Sequence, residues 1–487
     1  LSQILAFVLK KLYIISLVAF AVVGFFTWFL WNSGKQKGEK LAKTHCASCH
    51  QFPDPSILPK SVWEKKLLPE MKKRMGLGDM DEMLKTLSYE DYTYFTEKGI
   101  YPMNPVVTEK EWKNIVDYYV TNAPEKPLPQ THKQSSSELV TIPITEEKGE
   151  NIPRVGTTFF GSEGDNIYLS NVQGKVKVEN WKTGKVSNLQ LPSALVQIHG
   201  DLILCAGGNM NPTESKQGGL FKLNPANPQG IDPVLMNLHR PVDFLYEDFN
   251  KDGIKDYLIA EFGFETGEIS LFDGKTKQKT SLSTMPGARN FVLRDVNQDG
   301  FMDFYVLMAQ ARERVSLFIN KKNGKFEEIE QINLPSYYGT SFLEMADLNK
   351  DGKEEILLAM GDNADYSYCK KNYHGVRIYS QTLANHWKEE KFFPIYGATT
   401  VLSGDFNGDG QTDFAATSNF VEEEFRKSET LMIFYNQGKM QFNIKYIKTP
   451  RLNPLTMRLG KVKGKRELFL GNFQFTSMPL KGIRLPL

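Results

Sequence analysis

Cysteine is scarce in this chain, with four in 487 residues. That is too few for a disulfide scaffold of this size. An excess of charge of one sign is also missing. Lys and Arg total 59 against 57 Asp and Glu, a formal +2, too even for the electrostatic footprint of a nucleic-acid binder. With 41% hydrophobic and 24% charged residues the balance is globular, which excludes wholesale disorder and low-complexity fibres. The length corresponds to roughly three domain-equivalents. No nucleophile elbow, phosphate loop or zinc signature occurs. His239 and His374 stand far apart in no catalytic pattern, and Cys205 and Cys369 lie in different repeats.

Long apolar runs are absent but for one. Leu12 to Trp31 is 20 residues without a charge, and about 30 Å of helix matches the hydrocarbon core of a bilayer. Lys10 and Lys11 precede it, and Tyr13, Trp28 and Trp31 sit near its ends, where amphipathic rings favour the interface. Cleavage as a signal peptide after Ala19-Phe20-Ala21 would leave Val-Val-Gly-Phe-Phe on the new end, where a polar stretch is expected. The reading is a retained anchor over residues 1–32, in contact with the lipid bilayer. Lys35, Lys37, Lys40 and Lys43 make the downstream side basic too, so charge alone does not orient it.

Two of the four cysteines share one pentapeptide, Cys46-Ala47-Ser48-Cys49-His50. C-x-x-C-H is the spacing of c-type haem attachment. Two thiols on one face of a turn can each form a thioether to a haem vinyl, and the adjoining imidazole meets the iron. A zinc half-site or a redox C-x-x-C is the rival, but neither needs the His and no second Cys pair exists. Thioether attachment belongs outside the cytoplasm, which places this domain on the periplasmic side of the anchor.

The flanks read as helices. Gly38 to His45 leads into the motif. Ser61 onward is helical and broken at Pro69, and Ser88 to Lys98 is closed by Gly99. Thr108-Glu109-Lys110-Glu111 is a capping box. It opens a helix with Trp112, Ile115, Val116 and Tyr119 on one stripe. This set, over residues 33–123, resembles a class I cytochrome c. The resemblance implies one covalent haem c held by Cys46, Cys49 and His50, with a sulfur ligand from the loop before the terminal helix. Met103, between Pro102 and Pro105, is the expected ligand and Met71 the rival.

Residues 124–138 hold Pro124, Pro127, Pro129 and Ser135-Ser136-Ser137, the composition of a semi-stiff linker. Beyond it one pattern recurs four times, D-x-N-x-D-G-x-x-[D/E]. Its positions 1, 3, 5, 7 and 9 are Asp248, Asn250, Asp252, Ile254 and Asp256; Asp295, Asn297, Asp299, Phe301 and Asp303; Asp347, Asn349, Asp351, Lys353 and Glu355; and Asp405, Asn407, Asp409, Gln411 and Asp413. Side-chain oxygens at 1, 3, 5 and 9 and a backbone carbonyl at 7 suit Ca²⁺, up to four ions in all. Asx-rich turns without metal are the bland alternative. An EF-hand is excluded, because position 12 is Ile259, Val306, Leu358 or Ala416 instead of Glu.

Each loop runs into an apolar stretch and then a second strand. Loop starts 47, 52 and 58 residues apart fit four-stranded blades. The repeats resemble FG-GAP/VCBS propellers, the integrin-α type. Ile152–Leu191 and Pro192–Arg240 add two blades and Lys448 onward adds one, giving seven over residues 139–487. Leu139 to Ile142 is expected to close the ring with the last blade, since closure removes sheet edges.

The expected fold is thus multidomain: a transmembrane helix, a small all-α cytochrome c domain and an all-β seven-bladed propeller. The expected function is transfer of single electrons to a membrane-embedded or periplasmic redox partner, with the calcium-stapled propeller as docking or scaffold domain. The alternatives are a substrate-oxidising propeller that uses the haem as electron exit, and an adhesion or scaffold module.

Overall fold

The computed structural model describes residues 13, 36–78, 89–102, 104–131, 133, 138–141, 143, 145–148, 156–208, 210, 213–227, 230–363, 367–449, 452–473 and 481–486. The chain divides into two compact units at Pro127/Leu128. The expected anchor lies outside the described residues apart from Tyr13, as does Met103. Among the described residues no helix is long and apolar enough to cross a membrane.

The first unit is helical. A helix over 36–45 runs into a tight turn at Cys46–Ser48. The terminal helix, Glu109–Asn122, starts at the expected capping box, where Thr108 and Glu111 satisfy each other's amides. Trp112, Ile115, Tyr118 and Tyr119 form its buried stripe. The two helices cross closely at Gly38, where a Cβ would collide with the Asn114 carbonyl. Tyr89–Glu97 is the third helix, and Gly99 ends it at φ +70° with Ile100 N–H bonded to the Phe95 carbonyl.

Pro69 does not break its helix. Helical turns at Lys60–Val62 and Leu68–Lys72 are joined by the wide turn Trp63–Leu67, in which Leu68 N–H reaches the Trp63 carbonyl. A proline ring normally strikes the carbonyl four residues back. Widening the turn to i→i+5 just ahead of it moves that carbonyl aside, so the helix continues.

The second unit is a ring of seven four-stranded antiparallel blades. Blades 1 and 2 start at Thr157–Glu163 and Leu195–His199. Blades 3 to 6 start at Pro241–Glu247, Ala288–Arg294, Thr340–Ala346 and Ala398–Gly404, and blade 7 at Pro454–Val462. These first strands neighbour one another around the axis. In blades 3 to 6 the second strand is buried along its whole length, Asp256–Glu261, Asp303–Met308, Glu355–Met360 and Asp413–Ser418. Their apolar runs pack against both neighbouring sheets, as between Phe393 of blade 5 and Phe414 and Phe434 of blade 6. Burying each such ring contributes roughly 2–3 kcal/mol.

Closure differs from expectation in which segment performs it. Glu138–Val140 pairs parallel with Phe442–Ile447 as a fifth strand of blade 6. Thr145–Lys148 supplies the fourth strand of blade 7, antiparallel to Lys481–Pro486. Val140 packs against the blade 6–7 core, so its apolar character places it one blade early. The Thr-Glu-Glu-Lys stretch closes the ring through backbone pairing.

Part of the expected linker belongs to this second unit. Gln130 Nε2 donates to the His374 carbonyl at 2.8 Å. Lys133 pairs with Glu429 and lies over the rings of Phe425 and Tyr396.

Candidate functional site

The pentapeptide of the first unit sits where the 36–45 helix ends. Cys46 is half-buried, Cys49 is exposed, and both thiols are free. Burial pushes the Cys46 thiol, beside the Tyr119 hydroxyl, above its ordinary range. That hydroxyl donates to the Pro53 carbonyl at 2.9 Å. Its ring meets Trp63 at 4.4 Å and Phe52 at 6.4 Å, and Trp63 Nε1 donates to the Pro55 carbonyl. Tyr119 of the terminal helix and Trp63 thereby fix the segment that follows the motif.

His50 Nδ1 lies 2.9 Å from the Gln51 carbonyl. A carbonyl can only accept, so Nδ1 carries the proton and the free lone pair is on Nε2. This is the tautomer suited to ligation, oriented by its own backbone. Free thiols at the right spacing, an imidazole with Nε2 available and an aromatic wall all fit a covalent haem. The loop expected to carry the sixth ligand is anchored on both sides of Met103. Val106 N–H bonds to the Met75 carbonyl at 3.0 Å. Gly76, at φ +72°, lets Pro102, Asn104 and Pro105 approach its Cα, where a Cβ would meet all three within about 3.1 Å. Met71, the rival, is half-buried and Met75 is buried.

The four acidic loops share one conformation. Position 4 is left-handed in each, at Lys251, Gln298, Lys350 and Gly408, as is the glycine at position 6. The position-1 carboxylate accepts the position-6 amide, as from Gly253 to Asp248 at 2.9 Å and from Gly410 to Asp405 at 2.9 Å. Position 3 accepts the position-5 amide, and position 5 accepts that of position 7, as in Asn297 with Asp299 and Asp299 with Phe301. Ile254, Phe301, Lys353 and Gln411 are thus held through their N–H groups. These bonds use one lone pair on each oxygen and fix the turn.

Position 9 points the other way. Asp256, Asp303, Glu355 and Asp413 are buried. Each accepts the position-2 amide of its own loop, from Phe249, Val296, Leu348 and Phe406. The second oxygen holds the end of the third strand, as Asn320 and Asn436 N–H with Asp303 and Asp413 at 2.7 and 2.8 Å. Burial raises the pKa of all four, and carboxylates at positions 1 or 5 add repulsion. Among the described residues no three His, Cys, Asp or Glu side chains converge as a ready metal cluster. Each loop adds one Asn, and its hard oxygens fit Ca²⁺ in kind.

Sequence reasoning missed a polar belt around the propeller axis. Asp243 of blade 3 accepts from Gln197 of blade 2 at 2.9 Å and from Phe291 N–H of blade 4 at 2.9 Å. Arg458 of blade 7 reaches Gln197 at 2.7 Å. It crosses blade 1 at Gly161, where a Cβ would lie 3.1 Å from the Arg458 Cδ. His239 Nε2 also lies 3.0 Å from a Glu214 carboxylate oxygen. No local motif marks either arrangement, because the partners come from different blades or loops.

Residues 248–306 and 295–358 match the FG-GAP-like repeat family. The second unit is therefore a seven-bladed propeller carrying FG-GAP repeats. Among curated proteins no match to the chain was found. Of the solved structures, the N-terminal domain of Nup159 is 13% identical, covers 72% of this chain and 100% of its own, and has a TM-score of 0.42. A computationally designed protein, Ika8, is 9% identical, covers 71% of this chain and 90% of its own, and has a TM-score of 0.39.

Proposed function

We propose that this chain is a membrane-anchored monohaem c-type cytochrome that passes single electrons, with the propeller as its docking or scaffold domain. The observation that carries the reading is the Cys46, Cys49 and His50 constellation, with the His50 lone pair left on Nε2. Cys46 and Cys49 would hold the haem, and His50 and Met103 would ligate its iron. When bound, the haem supplies a one-electron couple. The chain's own part would be to hold the imidazole tautomer, with Tyr119 and Trp63 as an aromatic wall beside the motif.

The anchor is residues 1–32, and both units lie on the periplasmic side, where thioether attachment occurs. The partner is a membrane-embedded or periplasmic redox protein. Up to four Ca²⁺ ions in the acidic loops would offset the repulsion between positions 1, 5 and 9, a structural role. FG-GAP repeats on a propeller fit a scaffold or docking module. Expression in a host with c-type maturation tests the reading. A haem-stained band in a denaturing gel, lost in the Cys46→Ser/Cys49→Ser variant, is the expected result, and an unstained wild-type band overturns it.

A further inference from the structure

Between the outer strands of blades 5 and 6 lies a cavity of about 290 Å³. Successive residues of a strand point to opposite faces. Lys391 and Phe393, on the last strand of blade 5, His386–Pro394, therefore share the face turned to blade 6. Phe442, Ile444 and Tyr446 face them from the last strand of blade 6, Phe442–Ile447. Phe434, one strand deeper, forms the floor. Phe393 meets the rings of Phe434 at 4.9 Å and Phe442 at 5.7 Å, and this packing closes the inner end.

The hairpin turn beside the cavity is strained. Residues 437–441 make the same turn as residues 321–325 of blade 4. The first residue donates to the carbonyl of the fifth at 2.7 Å in both, and the fifth donates to that of the second. The three residues between are left-handed in each. In blade 4 the last of them is Gly324, at φ +71°, which adopts this conformation freely. In blade 6 it is Met440, at φ +55°, where a side chain is disfavoured. What the turn gains is contact, because Met440 packs on the blade 5–6 core and lines the cavity. Its unbranched thioether chain can shift to admit a guest.

Among the described residues three charged side chains line the cavity, Lys133, Glu429 and Lys391. Lys133 and Glu429 pair with each other, and Glu429 also accepts from Tyr396 N–H at 3.0 Å. Beyond that pair Glu424 binds Lys370, with Glu422 beside them, all outside the lining. Lys391 is half-buried and has no hydrogen bond or ion pair among the described residues. An apolar chamber whose single uncompensated charge is an ammonium complements a molecule with an apolar body and one negative head. We propose that the blade 5–6 cavity binds a small apolar carboxylate, its body against Phe393, Phe442 and Met440 and its head on Lys391 Nζ. Burial of the body supplies most of the affinity. A partly exposed ion pair adds little and decides which sign of charge is accepted. The site lies wholly in the second unit and does not depend on the haem.

Ligand-observed NMR titration of the full chain in lipid nanodiscs, with empty nanodiscs as the blank, tests this. Hexanoate is the probe in one arm and 3-phenylpropanoate in the other, and hexylamine and 3-phenylpropylamine are the charge-reversed controls. Saturable binding in at least one carboxylate arm is expected, and the tighter arm identifies an acyl or an aromatic body. Lys391→Ala should weaken it about fivefold and Lys391→Glu more, while Lys388→Ala, on the exposed end of the same strand, should leave it unchanged. Met440→Gly, which relieves the left-handed turn, should also weaken binding. The Lys391 variants alter only a half-exposed side chain, so they keep the fold and decide the matter should Met440→Gly disturb it. No saturable binding in either carboxylate arm, amines bound as tightly as the acids, or wild-type affinity in Lys391→Glu would overturn the proposal.

Discussion

The side-chain amide of Asn436, in blade 6, donates to the main-chain carbonyl of Leu348, in the acidic loop of blade 5, at 2.7 Å. Asn320 of blade 4 does the same to Phe249 in the loop of blade 3, at 2.9 Å. Each acidic loop so held is fastened by the blade that follows it, and loop order is coupled to blade packing.

Asn436 also donates to the Thr412 carbonyl at 3.0 Å. Asn436→Ala removes both of these bonds and the one its Oδ1 accepts from Gly438 N–H, and leaves the buried Leu348 carbonyl unpaired, a loss of about 2 kcal/mol. Urea denaturation should show a lower midpoint with an unchanged slope. The exposed neighbour Gln437→Ala should shift it by less than about 0.5 kcal/mol.

Glu313 gives the propeller a pH dependence. It is buried, and burial pushes its carboxyl up to about 8 although Gly339 and Thr340 N–H bond to it. The folded state then holds a proton that the unfolded chain has released above its ordinary value of 4.5. Its contribution is fully present below that value and is lost as pH rises toward 8, by at most about 1.4 kcal/mol per pH unit. Glu313→Gln should flatten the stability curve between pH 5 and 8. An identical slope in the variant would assign the dependence to other groups.

Calcium removal should destabilise the propeller and leave covalent haem in place. Replacing a position-5 aspartate, Asp252, Asp299, Asp351 or Asp409, by Ala should lower the thermal midpoint by several degrees in calcium and by less in chelator. Equal melting of wild type with and without chelator, with metal removal confirmed by elemental analysis, would mean that the loops are ordinary turns.

Met103→Ala should abolish the thioether–iron charge-transfer absorbance of the oxidised protein and lower its potential. Loss of that band in Met71→Ala alone would move the ligand to the helix at Pro69.

What could be read beforehand follows from where the information lies. The capping box at Thr108, the buried second strands and the D-x-N-x-D-G spacing are local, so residue order displays them. The closing strand Thr145–Lys148 pairs through backbone and carries no apolar pattern. The turn that absorbs Pro69 depends on packing around Trp63. Spacing predicted a carboxylate at position 9 but not that it turns inward to hold the next hairpin. Nothing in Ala288-Arg289-Asn290 announces a bulge, because the slip is decided by the partner strand.

The most direct measurement is the pyridine haemochrome spectrum of the purified full chain, together with the intact mass of the same sample. The expected result is the spectrum of a haem with both vinyls saturated, one per chain, and a mass increased by one haem, both lost in Cys46→Ser/Cys49→Ser. A wild-type chain of unmodified mass, made in a host that matures other c-type cytochromes, would contradict it.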